Sequence, residues 1–325
     1  MILKVIIIGM SFLFLFNIIF AQGGKLLSKK EFDYKKTEYY KRISEKKDFA
    51  KLEKTKTWIF DRVKTYLISY SSDSLQINGL LITPVNEGKH PCIIFNKGGT
   101  GSSGNLSMGG SLLKLAYFSA NGYVVISTQF RGQGGSEGRE DLGGNEIDDV
   151  ISLVDVLGEL ECADTSRIGM FGWSRGGMTT YITLRRTNMI KAAVIGAGIS
   201  NLFTFAESDP RVEALYAKLI PGYKTNRKKV LTERSAVFWA EEICKTTQIL
   251  LMHYRNDTIV DPEQSLEMAN ELYRVNQPFR FMFYEEGGHN ILSKSKEGLI
   301  MVLGWFDRFL KTPEERRKSK LETID

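Results

Sequence analysis

Short apolar runs alternate with amphipathic segments along most of the chain. The runs Cys92–Asn96 and Tyr123–Phe130 are continuously apolar, which is typical of strands buried on both faces. Asn145–Glu161 instead carries apolar residues at a 3.6-residue spacing, which predicts a helix. Further strands are predicted at Arg167–Phe171, Lys191–Ile195, Ile249–His253 and Phe279–Tyr284, and further helices at Arg175–Arg186, Pro262–Val275 and Ser293–Leu310. This alternation indicates an α/β fold, in which a mostly parallel sheet has helices on both faces.

A single α/β domain is predicted over residues 63–311. Two β-type runs, Val63–Ser71 and Leu75–Ile82, open the domain, and the polar turn between them predicts an antiparallel hairpin. The segment Asn201–Ala240 interrupts the alternation with about forty polar and aromatic residues between two strands. A long excursion at such a place is typical of a lid or a pocket wall.

The two ends of the chain differ in character from this domain. Residues 1–21 combine one lysine, a nearly unbroken apolar run and a terminal Ala21, which is the pattern of a signal peptide. We therefore expect export to the periplasm or the cell exterior, with cleavage after Ala21. The alternative is an uncleaved membrane anchor formed by residues 4–20, because Ile19 is larger than the residue that cleavage sites prefer there. Residues 312–325 are predicted to be a charged tail.

Positive charge is concentrated near the start of the chain. The net charge is +6, and residues 22–64 carry 14 Lys and Arg against 7 Asp and Glu. The remainder is near neutral, which does not fit a nucleic-acid-binding face. Residues 22–62 are predicted to be a basic helical neck, with Phe32, Tyr39 and Ile43 on its apolar side. Contact of this neck with a membrane surface is the alternative.

The composition gives no indication of a metal or a cofactor. The three cysteines lie far apart and match neither a disulfide framework nor a zinc-ligand spacing. Residues 99–104 match Gly-x-Gly-x-x-Gly after a strand, which is a feature of dinucleotide-binding folds. Such folds place a carboxylate at the end of the next strand, whereas Tyr123–Phe130 ends without one. We therefore expect no cofactor.

The segment Gly172-Trp173-Ser174-Arg175-Gly176 has the sequence and the placement of a nucleophile elbow. It lies between a predicted strand and a predicted helix, where a tight turn lifts the serine hydroxyl clear of the sheet. The backbone N–H of Arg175, at the helix N-terminus, is a candidate oxyanion donor. The loop at Gly98 and Gly99 is the candidate for the second donor. A second match, around Ser136, is followed by polar residues and glycines and is predicted to be a loop.

A nucleophilic serine needs a histidine base. In parallel-sheet hydrolases the chain order is serine, acid, histidine, and only His253 and His289 follow Ser174. His289 lies in a glycine-rich loop just after a predicted strand, at the edge where sites form in such sheets. His253 closes a strand and is expected to pack at its end. His289 is therefore the candidate base.

The candidate acid follows the strand Ile249–His253. Asp257 lies in the loop after that strand, where a carboxylate can orient the imidazole. Asp261 is the rival, and we expect it to cap the helix that begins at Pro262.

With these residues identified, the chain from about Val63 to Leu310 resembles the catalytic domain of the prolyl oligopeptidase family of serine hydrolases. The similar segments are TQFRGQGGSEGRED, FGWSRGGMTT, RSAVFWAEEI, ILLMHYRNDTIVDPEQS and EEGGHNI. The resemblance implies an α/β-hydrolase fold with Ser174 as nucleophile, Asp257 as acid and His289 as base. Peptidases of this family often carry a β-propeller, and we expect none here because only about forty residues lie between the predicted signal peptide and the domain. Asn96-Lys97 stands where a histidine is frequent, and Tyr254 stands where glycine is usual.

Together with the signal-peptide pattern of residues 1–21, the resemblance implies an exported serine peptidase that forms an acyl-enzyme on a small peptide or ester substrate. Stand-alone proteins of this fold include many carboxylesterases, so a carboxylesterase is the alternative. An inactive hydrolase fold that serves as a binding module is a further alternative.

Overall fold

A computed structural model describes residues 23–45, 57–101, 106, 110–289 and 296–318. The predicted signal peptide, part of the neck and the end of the tail lie outside the described residues. The strands are β1 Leu26–Glu31, β2 Val63–Ser72, β3 Leu75–Pro84, β4 His90–Asn96, β5 Val124–Thr128, β6 Ala163–Trp173, β7 Ile190–Gly196, β8 Gln248–Tyr254 and β9 Phe279–Tyr284. The helices are α1 Glu38–Ser44, α2 Gly110–Ala120, α3 Glu146–Gly158, α4 Arg175–Arg186, α5 Leu202–Ser208, α6 Pro210–Leu219, α7 Tyr223–Thr232, α8 Glu263–Arg274, α9 Lys296–Leu310 and α10 Pro313–Lys318.

The described strands form a nine-stranded sheet with the order β1-β2-β3-β5-β4-β6-β7-β8-β9. The first four strands in this order pair antiparallel, and β5-β4-β6-β7-β8-β9 pair parallel. The predicted hairpin of β2 and β3 and the predicted parallel sheet are both confirmed. Helix α2, which precedes β5, was not predicted.

Apolar side chains cover both faces of the sheet. Successive residues of a strand point to opposite faces, so Val194 and Ile195 of β7 belong to different core clusters. One cluster packs under α3, α4 and α8, with buried members such as Ile147, Met178 and Met268. The other packs under α2 and α9, with buried members such as Leu112, Leu115, Val302 and Phe306. Burial on both faces explains why these strands are continuously apolar in sequence.

The prediction of a helical neck is wrong for Leu26–Glu31, which form the edge strand β1. Backbone pairing with β2 and a 2.7 Å hydrogen bond between the hydroxyls of Ser28 and Ser69 fix this strand to the sheet. A free sheet edge offers unpaired backbone groups, so strand addition outweighs the local helical pattern. Helix α1 and residues 57–60 are helical as predicted, Tyr34–Lys36 form a short 3-10 helix, and residues 46–56 lie outside the described residues. No helix in the described ranges is long and apolar enough to span a membrane.

The predicted interruption at residues 201–240 contains helices α5, α6 and α7 between β7 and β8. The side chain of Asn201 begins α5 by accepting hydrogen bonds from the backbone N–H groups of Phe203 and Thr204. The guanidinium of Arg139 donates to the carbonyl of Lys218 in α6 at 2.9 Å, which ties the insertion to the loop after β5.

Strand register brings the loops that follow the strands to a common edge. In the β4–β6 pair, Asn96 lies opposite Gly172, so the loop after β4 meets the turn after β6. In the β8–β9 pair, Tyr254 lies opposite Tyr284, so the loops after these two strands are also neighbours. The residues singled out as candidate chemistry all lie at this edge.

Replacement of Phe306 tests the assignment of the core between α9 and the sheet. Its side chain is fully buried and packs against Phe118 and Tyr123. We expect Phe306→Ala to lower the free energy of unfolding by about 3–5 kcal/mol, measured by urea denaturation, because a large buried ring is lost and a cavity remains. Tyr273→Ala is the control, because that ring is 78% exposed. Equal losses in the two variants would contradict the assignment of the core.

Candidate active site

The turn between β6 and α4 places Ser174 in a strained conformation. Its φ of 58° and ψ of −124° lie outside the regions that residues with side chains prefer, at a cost of about 1–3 kcal/mol. A Cβ on Gly172 would lie 2.0 Å from the carbonyl oxygen of Gly176, and a Cβ on Gly176 would lie 2.0 Å from that of Asn96. Both positions therefore exclude a side chain. This is the sharp strand-to-helix turn that the sequence predicted.

His289 and Asp257 are in direct contact. His289 Nδ1 lies 2.8 Å from Asp257 Oδ2, and the Asp257 side chain is inaccessible to solvent whereas that of His289 is 20% exposed. The other carboxylate oxygen of Asp257 accepts from the backbone N–H groups of Ile259 and Val260 at 2.9 and 3.1 Å. The carboxylate is thus fixed by its own loop, and its remaining oxygen is aimed at the imidazole.

Two contacts hold the His289 loop in place. Asn256 Oδ1 accepts from the backbone N–H groups of Gly287 and Gly288, at 3.1 and 2.9 Å, which joins the loop of the acid to the loop of the histidine. The indole N–H of Trp173 donates to the carbonyl of His289 at 2.6 Å, and the two rings meet edge to face. Since Trp173 directly precedes Ser174, His289 is held beside the elbow.

The second histidine of this region, His253, is fully buried and also touches the acid. Its Nε2 lies 3.0 Å from the carbonyl of Val260 and 3.3 Å from Asp257 Oδ2, and its Nδ1 lies 2.7 Å from Ser265 Oγ. Both neighbours of Nε2 are acceptors, so this nitrogen carries a proton. His253 lies at the strand end as predicted, but its contact with Asp257 was not foreseen.

The hydrogen bonds around Asp257 control its ionisation. Burial by itself raises the pKa of a carboxyl group. Hydrogen bonds from His253, from His289 and from the Ile259 N–H outweigh burial and hold the pKa of Asp257 well below its usual range. Asp257 is therefore a carboxylate at neutral pH, as an acid that orients an imidazole must be. The rival Asp261 accepts from the Glu263 N–H at 2.9 Å and lies at the start of α8, which agrees with the predicted capping role.

The residues predicted to supply the oxyanion donors lie near Ser174. A Cβ on Gly98 would lie 3.4 Å from the Cβ of Ser174, so the loop after β4 passes directly beside the nucleophile. Gly99, with a φ of 75°, continues this loop. Arg175 is the first residue of α4, where backbone N–H groups have no partner within the helix. The structure thus places Gly98 and Arg175 next to Ser174, and Gly99 follows Gly98 in the loop.

Ser136, in the second Gly-x-Ser-x-Gly match, has a structural role. Its hydroxyl accepts from the backbone N–H of Asn78 at 3.0 Å, and its own N–H donates to the carbonyl of Gln133. The segment is a loop, as predicted, and it contacts β3 through Asn78.

A buried cluster of charged side chains lies beneath the elbow and was not predicted. It consists of Lys97, Arg175, Glu140 and Glu146, each less than a tenth exposed. Burial opposes the ionisation of Glu146, but the charge and hydrogen bonds of Arg175 outweigh it and hold the pKa of Glu146 below its usual value. Burial and the nearby Arg175 lower the pKa of Lys97 to about 7. The signal for this cluster in the sequence is two basic residues beside the candidate oxyanion donors, Lys97 before Gly98 and Arg175 after Ser174. Their acidic partners lie far away along the chain, so the sequence does not reveal the pairing.

A cluster of metal-binding side chains is absent from the described residues. They include no group of three or more His, Cys, Asp or Glu side chains placed to bind a metal ion. Of the Gly-x-Gly-x-x-Gly match, Gly101 donates its N–H to Glu140 at 3.1 Å, and residues 102–104 lie outside the described residues.

Two known protein families match parts of this sequence. The sequence pattern of the prolyl oligopeptidase family matches residues 111–313, and that of acetyl xylan esterase matches residues 25–148. The uncharacterized peptidase YtmA of Bacillus subtilis is 26% identical over 243 residues, which cover 74% of this chain and 92% of YtmA. The uncharacterized peptidase YuxL of the same organism is 27% identical over 75% of this chain and 39% of YuxL.

Solved structures share the fold. A puromycin-hydrolyzing peptidase of Mycobacterium tuberculosis superposes with a TM-score of 0.63 at 24% identity, over 72% of this chain and 37% of that one. An acylaminoacyl peptidase of Pyrococcus horikoshii superposes with a TM-score of 0.67 at 21% identity, over 77% and 42%. The chain thus spans less than half of these solved chains. Because the family pattern covers more than half of the sequence, this chain belongs to the prolyl oligopeptidase family, and it is a serine hydrolase with the α/β-hydrolase fold.

Proposed function

We propose that this protein is a serine peptidase that cleaves small peptides through an acyl-enzyme on Ser174. The observation that carries the proposal is the hydrogen bond between the buried Asp257 carboxylate and His289, beside the strained turn at Ser174. A nucleophile, a base and an orienting acid are the three groups that this chemistry requires.

In the proposed reaction one proton passes from the Ser174 hydroxyl to His289 and then to the leaving group. His289 takes the hydroxyl proton of Ser174 as the oxygen attacks the scissile carbonyl, and Asp257 stabilises the imidazolium. The backbone N–H groups of Gly98, Gly99 and Arg175 stabilise the oxyanion. His289 then protonates the leaving amine, and a water molecule hydrolyses the acyl-enzyme by the same steps.

Amide cleavage is the first candidate because the matched family and several relatives are peptidases. The match of residues 25–148 to acetyl xylan esterase favours a carboxylesterase as the second candidate. The two activities use the same groups and differ in the leaving group. We propose that helices α5–α7 form the lid that determines which acyl groups enter, since they follow β7 at the edge where the candidate residues meet.

We also propose that the protein is exported and that residues 1–21 are removed. The supporting feature is the charge, apolar run and small residue of that segment. The intact mass of protein recovered from the periplasm or medium after expression of the full chain tests this, because cleavage predicts Gln22 as the first residue.

Substrate class and nucleophile are tested together by measuring kcat/KM on matched p-nitrophenyl esters and peptidyl p-nitroanilides. We expect the wild type to cleave anilides, and Ser174→Ala to lower kcat by several orders of magnitude on every substrate, because the nucleophile is lost. Ser136→Ala is the control and should retain wild-type kcat. Cleavage of esters alone would assign a carboxylesterase. Turnover by Ser174→Ala within about tenfold of wild type contradicts the proposed nucleophile.

The depressed pKa of Asp257 makes a prediction about stability and pH. The pKa is lower in the folded state than in the unfolded chain, so ionised Asp257 stabilises the fold above about pH 4 and this contribution is lost as the pH falls. The difference in unfolding free energy between wild type and Asp257→Asn should shrink as the pH falls below about 4. Urea denaturation at each pH measures it. A difference that stays constant down to about pH 3 would contradict the prediction, because it would mean that folding does not lower the pKa of Asp257.

A further inference from the structure

We propose that the side chain of Arg175 is a positioning residue that holds the oxyanion loop, residues 98–101, against the nucleophile. This inference rests on the proposed function, in which that loop supplies backbone N–H groups to the oxyanion. Arg175 would then act twice, because its backbone N–H lies on one side of the oxyanion and its side chain fixes the loop on the other side.

The first link is direct. Arg175 Nη1 donates to the carbonyl of Gly99 at 2.9 Å. A peptide group is planar, so fixing the carbonyl of Gly99 also fixes the N–H of Thr100 in the same peptide group and limits rotation of the loop about Gly99. The same Nη1 donates to Glu140 Oε1.

The second link passes through Glu140. Glu140 accepts from Arg175 with one carboxylate oxygen and from the backbone N–H of Gly101 with the other, at 3.1 Å. The guanidinium is thus joined to the loop at two points, on either side of Thr100. The loop contains three glycines, of which Gly99 and Gly101 have positive φ values of 75° and 52°. Glycine is conformationally permissive, so this loop needs external contacts to keep one geometry.

Glu146 holds the guanidinium from the opposite side. Arg175 Nη2 lies 2.7 Å from each carboxylate oxygen of Glu146, which is fully buried. Glu146 also accepts from the backbone N–H of Gly143 at 2.8 Å, so it cannot follow the guanidinium if the loop moves. The oxyanion loop is therefore connected through Arg175 to the N-terminus of α3, which belongs to the rigid core.

The geometry of this cluster requires arginine. Both carboxylates accept from Arg175, whereas Lys97 Nζ donates to Gln133 and lies 4.8 Å from the centre of the Phe130 ring. The Arg175 guanidinium lies 5.2 Å from the same ring. The guanidinium donates to three acceptors that lie in different directions: the Gly99 carbonyl and the carboxylates of Glu140 and Glu146. A planar guanidinium provides N–H groups in several fixed directions, and a lysine ammonium does not.

The oxyanion loop can contribute to catalysis only while its N–H groups stay within hydrogen-bond distance of the oxyanion. Removal of one such donor lowers kcat by about 10²–10³, because the transition-state charge loses a hydrogen bond. A loop that samples several geometries offers its donors for only part of the time. Loss of the Arg175 side chain should therefore affect the transition state far more than substrate binding in the ground state.

The test compares Arg175→Gln and Arg175→Lys with wild type, with active sites counted by fluorophosphonate titration. We expect kcat to fall about 10²-fold in each variant with KM changed less than about threefold. Affinity for a peptidyl trifluoromethyl ketone, which forms a tetrahedral adduct with the serine, should fall by the same factor as kcat/KM. Glu140→Gln should show a smaller loss of the same kind, because the direct bond of Arg175 to Gly99 remains.

Arg131→Gln is the matched control. Arg131 is also buried, and its guanidinium pairs with Asp149 and Asp73 instead of the oxyanion loop. It should lose stability in urea but keep wild-type kcat per titrated active site. If Arg131→Gln lowers kcat and inhibitor affinity as Arg175→Gln does, or if Arg175→Gln keeps kcat within about threefold, the positioning role is wrong. Ser174→Ala separates the two proposals, since its retention of activity would overturn the proposed function itself.

Discussion

The close approach of β6 and α4 at Ser174 is the constraint on which the rest of this site depends. A parallel strand ends, one residue adopts a positive φ, and a helix begins at the next residue. This is possible because the glycines two residues before and two after Ser174 have no Cβ to meet the carbonyl oxygens of Gly176 and Asn96. The same approach brings the loop after β4 beside the serine, so one steric condition places both the nucleophile and its candidate oxyanion donors.

Two sets of buried charged side chains hold the site in place, one around Asp257 and one around Arg175. On the side of β8 and β9, Asp257 is held ionised by two histidines and two backbone N–H groups and orients His289. On the side of α3, Arg175 is enclosed by Glu140 and Glu146 and reaches the oxyanion loop. In both places a carboxylate is tolerated in the interior because each of its oxygens has a hydrogen-bond donor. The strained turn thus lies between two preorganised charged groups.

Much of this arrangement could be predicted from the sequence because it follows from local patterns. Continuous apolar runs identified the parallel strands, and the placement of Ser174 between a strand and a helix distinguished it from Ser136. Chain order and loop position selected Asp257 and His289, which the structure brings into contact. Each of these inferences needed only neighbouring residues and the rule that loops at the carboxyl ends of parallel strands meet.

The features that were missed depend on contacts between distant parts of the chain. Strand β1 forms because the edge of β2 is available to it, and a six-residue basic segment does not reveal such a partner. The contact of His253 with Asp257 depends on the path of the loop around Val260. The Arg175 cluster joins residues from four separate segments, and charged residues usually indicate a solvated surface unless their partners are known.

The most direct measurement of the central claim is the site of covalent labelling by a fluorophosphonate, mapped by peptide mass spectrometry on the folded protein. Displacement of fluoride by an activated serine should give one adduct per chain, located on Ser174, and Asp257→Asn should slow its formation because His289 loses its orienting carboxylate. An adduct on Ser136, or no adduct on protein shown to be folded, would contradict the account.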